Sequence, residues 1–151
     1  MPDAEIETLI LANHVEAVNG LLYVSGGGWT DHWRPAPGVG APVVSHLGVG
    51  LTILVPWSAA LTTHPLAVTI ETEDGRSVGQ MATQVALTRP AGMAVGTDQR
   101  AVLALALNLV FPLAGPYRLV ARLDEIRTRE VHFRVHDLPA PTPGVEVPPT
   151  N

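Results

Sequence analysis

Six histidines, His14, His32, His46, His64, His132 and His136, are the groups in this chain best suited to moving a proton or holding a metal near neutral pH. The densest chemical run is Trp29-Thr30-Asp31-His32-Trp33-Arg34. If the loop carrying Asp31 and His32 folded over the segment bearing His46 or His64, a carboxylate and imidazoles would meet in a set suited to zinc or another divalent ion. No histidine spacing matches a metal signature, and histidines in polar turns need no ion to explain them. His132 and His136 flank Arg134 on one strand face, where alternate side chains stand ~7 Å apart, and a solvated polar face is the plainer reading. Glu71, Glu73 and Asp74 make a single acidic hairpin, read as a solvated turn rather than a calcium site. We expect no catalytic residue, no metal and no cofactor.

Other reaction classes are excluded by what is missing. With no cysteine there are no disulfides, thiolate zinc sites, iron–sulfur clusters or cysteine nucleophiles. All nine basic residues are arginine, which removes lysine Schiff bases and the phosphate-loop lysine. None of the four serines, Ser25, Ser45, Ser58 and Ser77, sits in a nucleophile elbow. Gly48-Val49-Gly50 runs into an apolar alternating segment instead of opening a helix, so it suits close packing of backbone and not a phosphate cradle.

Contact chemistry is better represented. Trp29, Trp33 and Trp57 fall at strand ends or beyond the Gly26-Gly27-Gly28 run, and tryptophan and arginine are enriched in binding hot spots. Trp29, His32, Trp33, Arg34 and Trp57 are therefore the candidate binding residues. The competing reading is that each tryptophan plugs one end of a folded domain.

These residues need strands to position them. The closing segment, 111–137, writes two: Leu119, Ala121 and Leu123 alternate with polar or outward positions, and so do Val131, Phe133 and Val135. Further strands are expected over 6–14, across Asn19-Gly20 into LLYVSG, over 47–55 and 66–73, across Asp74-Gly75, and over 76–84, whose polar pattern suits an edge. Residues 30–42 and 88–99 have turn chemistry and are expected to be crossovers. Segment 100–111 is ambiguous. Alanine and leucine favour a helix, but Leu103, Leu105, Leu107, Leu109 and Phe111 repeat every second residue, and its place in an otherwise all-β chain predicts a strand. The sum is a single all-β domain over 1–137, an antiparallel Ig-like or Greek-key β-sandwich of about eight strands, followed by a flexible Pro-rich tail over 138–151.

Three stretches, LILANHVEAVNGLLYVSGGGW, LTILVPWSAALTTHPLAVTIETEDGR and PLAGPYRLVARLDEIRTREVHFRV, together resemble a widespread set of uncharacterised bacterial proteins. That resemblance implies the same sandwich and no activity or site residue.

A net charge of −5 with scattered arginines provides no basic stripe for nucleic acid. The uncharged stretch over 43–61 imitates a membrane span, but Pro42 and Pro56, Gly48, Gly50 and a period of two assign it to a strand. The acidic opening MPDAEIE lacks the basic and then apolar pattern of a secretory signal, so an unprocessed chain in the cytoplasm or incorporated in a particle is expected. The function expected is a non-enzymatic protein-binding or assembly module, acting through surface loops, a sheet edge or the tail, with a protein partner or self-association. One alternative is a structural subunit of a phage or injection apparatus, since only 15% of residues are charged. Another is a metal-dependent enzyme or ligand binder using Asp31, His32, His46 and His64.

Overall fold

In a computed structural model that describes residues 3–35 and 43–139, the apolar alternation becomes two packed sheets. The strands are β1 (Glu5–Val18), β2 (Leu21–Gly27), β3 (Asp31–Arg34), β4 (Ser45–Val55), β5 (His64–Thr72), β6 (Ser77–Val85), β7 (Gln99–Leu109), β8 (Gly115–Leu123) and β9 (Arg127–Asp137). One sheet has the order β2-β1-β4-β7 and the other β3-β9-β8-β5-β6, so the chain crosses between layers repeatedly. This is an all-β sandwich, antiparallel throughout except where β3 runs parallel to β9.

Period two decides which side chains meet. Leu47, Val49, Leu51, Ile53 and Val55 of β4 face Leu66, Val68 and Ile70 of β5, Leu119 and Leu123 of β8, and Phe133 and Val135 of β9 in one core. Each such side chain contributes roughly 1.5–3 kcal/mol by leaving water. Gly48 and Gly50 occupy the other face of β4, where β1 folds back across the sheet. A Cβ at Gly48 would lie 2.9 Å from Val15 Cγ2 and 3.0 Å from the Val15 backbone nitrogen. Close packing is thus the use of the GVG segment.

Asn19-Gly20 closes the β1–β2 hairpin with both residues at positive φ, as its sequence requires. Tyr117, after Gly115-Pro116, donates its hydroxyl to the Leu113 carbonyl at 2.7 Å and anchors the corner before β8. Segment 100–111 contains strand β7, because Leu103, Leu105 and Leu107 pair with Leu51, Val49 and Leu47 of β4. The stretch over 43–61 is β4 and a 3-10 turn at Trp57–Ala59, and among the described residues no helix is long and apolar enough to cross a membrane.

One expected crossover differs. Residues 31–34 of the 30–42 segment form β3, which pairs Asp31 with Arg134 and Arg34 with Asp137. Four residues give too short a pattern to betray a period, and their partner strand lies a hundred positions away. Residues 36–42 and 140–151, and with them most of the Pro-rich tail, lie outside the described residues.

Candidate functional site

Strand alternation splits the Trp29–Arg34 run between two environments. His32 and Arg34 pair in register with Val135 and Asp137 and point toward the core, whereas Asp31 and Trp33 pair with Arg134 and His136 and point outward.

The inward group packs the end of the sandwich. Trp29 stacks on His32 at 5.4 Å and meets Phe133 edge-on at 5.7 Å. His32 shares a hydrogen bond with Ser45 at 3.1 Å, and burial holds its pKa below the usual histidine value. Arg34 is only 8% exposed. Its Nε donates to Asp137 at 2.6 Å and its Nη1 to the carbonyl of Phe111, so one guanidinium ties β3, β9 and the residues after β7 together. Trp57, half-buried elsewhere, lies under the Arg89 guanidinium, 4.0 Å from the ring centroid, and Arg89 also donates to its carbonyl.

The outward group forms a surface. Trp33 is 56% exposed, yet its ring is fixed by stacking on His136 at 4.4 Å between centroids and 22° between planes. His136 Nε2 donates to Asp31 Oδ1 at 2.7 Å, and Thr30 donates to the other carboxylate oxygen at 2.9 Å. The His136 hydrogen bond, then that from Thr30, hold the Asp31 carboxyl below the usual carboxylate range. The result is an aromatic side chain presented to solvent with its orientation set by two strands. Sequence reading placed His136 on a solvated face and missed its use as the shelf for Trp33, because only the parallel β3–β9 pairing brings the two together.

The outer face of the five-stranded sheet also holds a groove of about 510 Å³, lined in part by Thr30, Glu73, Arg118, His132 and by Arg134, the register partner of Asp31. Of its lining, Arg118 is held by Glu71, which is 5% exposed and accepts from Arg118 at 3.1 Å and from Arg122 at 2.8 Å. Burial alone would push the Glu71 carboxyl up, but hydrogen bonds from Arg122 and Arg118 outweigh it and hold the group ionised.

The four residues considered for a metal have different partners. Asp31 binds His136, His32 binds Ser45, and His46 binds Asn108. His64, 6% exposed, donates to Asp124 at 2.9 Å and to the Ala59 carbonyl at 2.8 Å. Among the described residues no three histidine, aspartate or glutamate side chains converge as an ion would need. In the acidic hairpin Asp74 accepts from Thr72, whereas Glu71 is taken up by Arg118 and Arg122.

Comparison with known proteins adds a family and no chemistry. The sequence profile of a family of unknown function, DUF6941, matches residues 7–136. No curated protein matches the chain. Among solved structures, a β-glucuronidase from glycoside hydrolase family 2 is similar at 19% identity and a TM-score of 0.46, over 59% of this chain and 9% of that one. A glycosyl hydrolase family 2 member from Bacteroides cellulosilyticus is similar at 16% identity and a TM-score of 0.44, over 59% of this chain and 12% of that one. This chain therefore spans only a small part of either enzyme.

Proposed function

Because the chain belongs to DUF6941, a family of unknown function that lends it no activity, we propose from its geometry that it is a non-enzymatic protein-binding module whose contact surface is centred on Trp33. The observation that carries this reading is an indole more than half exposed and nevertheless oriented, stacked on His136 while Asp31 holds that histidine. An aromatic anchor fixed before contact loses little conformational freedom on binding, which is the property of interface hot spots. Arg134, His132 and Arg118 around the groove on the same sheet supply a polar rim of hydrogen-bond donors.

The test is affinity capture from cell lysate with the full chain and with Trp33→Ala. The reading expects at least one protein recovered by the wild type and lost from the variant, while Trp57→Phe recovers the same set as wild type. An identical set from all three proteins removes Trp33 from any interface.

A further inference from the structure

Among the described residues the four-stranded sheet ends at β7, and the sequence of that strand lacks the devices that ordinarily block strand pairing. Over the eleven residues of Gln99–Leu109 there is no proline and no glycine, and the single charged residue, Arg100, is ion-paired with Glu7 at 2.6 Å. The edges of the other sheet are protected: β3 has only four residues, two of them charged, and β6 is rich in polar residues and carries a register shift against β5.

The core is also incompletely closed along β7. Leu103 and Leu105 pair with Leu51 and Val49, which are fully buried, and share their inward direction, but they are only partly buried themselves. Val78 and Met81 of β6, partly buried too, lie in the opposite layer of the same open side, where Gly79 comes close to Leu109. An apolar seam thus runs beside a row of backbone groups that no described strand pairs.

We propose that a second copy of this chain covers this seam by pairing β7 with β7, antiparallel about Ala104, into one continuous eight-stranded sheet. The sequence of β7 is self-complementary in that register. Leu103 falls opposite Leu105 of the second copy, both directed inward, and Val102 falls opposite Ala106, both directed outward. Arg100 falls opposite Asn108, so the two arginines lie at opposite ends of the pair and no like charges meet. Two-fold pairing of identical edges closes on itself and leaves no further β7 edge. This contact is separate from the Trp33 surface, which lies on the other sheet.

The absence of native cysteine makes the test clean. Antiparallel partners on a two-fold axis have Cα atoms about 4.5–5.5 Å apart, within disulfide range. Light scattering on the full chain should give twice the 16.0 kDa chain mass, and Trp33→Ala should leave that mass unchanged. Under mild oxidation Ala104→Cys should become a covalent dimer, whereas Leu21→Cys, on the β2 edge at the far side of the sheet, should not. A monomeric wild type overturns the proposal whatever the variants do. So does a dimer that Leu21→Cys links, or one that Ala104→Cys, folded by circular dichroism, fails to link.

Discussion

At the scale of single residues, Arg34 and Trp33 are neighbours in sequence with opposite duties. Arg34→Ala would leave the Phe111 carbonyl without its donor and Asp137 without its ion partner. A lost hydrogen bond to a charged group and an uncompensated acceptor cost about 2–4 kcal/mol together, so urea unfolding should show an unfolding free energy lower by that amount, read as the midpoint shift multiplied by the slope of the transition. Trp33→Ala removes an exposed ring and should cost less than about 1 kcal/mol by the same assay. His64 offers a pH test. Burial lowers its pKa, but the Ala59 carbonyl and then Asp124 raise it further, and the net shift is upward. Both ring nitrogens have acceptors, so the folded protein favours the charged form. A raised folded pKa means that this stabilisation is fully present below the unfolded value of about 6.5 and is lost as pH rises through the folded value. The stability difference between wild type and His64→Gln should therefore be largest near pH 5.5 and shrink toward pH 8.5; a difference that grows with pH would contradict the bonding pattern.

At the scale of elements, what was legible in the sequence had a period or a turn signature. β4, β8 and β9 alternate cleanly, and Asn19-Gly20 and Asp74-Gly75 mark the β1–β2 and β5–β6 hairpins. β7 was recoverable against alanine and leucine propensity because leucine at every second position outweighs a weak intrinsic preference. β3 was not recoverable. Its four residues gain strand geometry only from pairing with β9, and that non-local contact also decides that Trp33 faces solvent while Arg34 does not. The candidate site was thus legible in composition, as an aromatic and charged cluster, but its division into inward-packed and solvent-facing residues was not. The same holds for β4, where Gly48-Val49-Gly50 signalled close approach without saying to what. Gly48→Val should destabilise the fold by about 1–3 kcal/mol, because its Cβ alone would press against Val15 and the β1 backbone. Thermal unfolding of that variant beside Thr52→Val, on the same strand, measures the cost of crowding apart from that of changing residue type.

At the scale of the whole molecule, the chain presents two unlike surfaces on opposite layers. The edge of one sheet is apolar and self-complementary, and the outer face of the other carries an oriented tryptophan among arginines and histidines. Such a division allows a two-fold assembly to display two copies of the Trp33 surface at once, and linked sites raise apparent affinity for a repeated partner without any new contact. Whether Trp33 makes that contact is the claim on which the functional reading rests, and replacing it with a photoreactive aromatic residue in the full chain tests it most directly. Irradiation in lysate should give a discrete cross-linked protein from position 33 and none from position 57. Cross-linking absent at 33, or the same at both positions, would contradict the account.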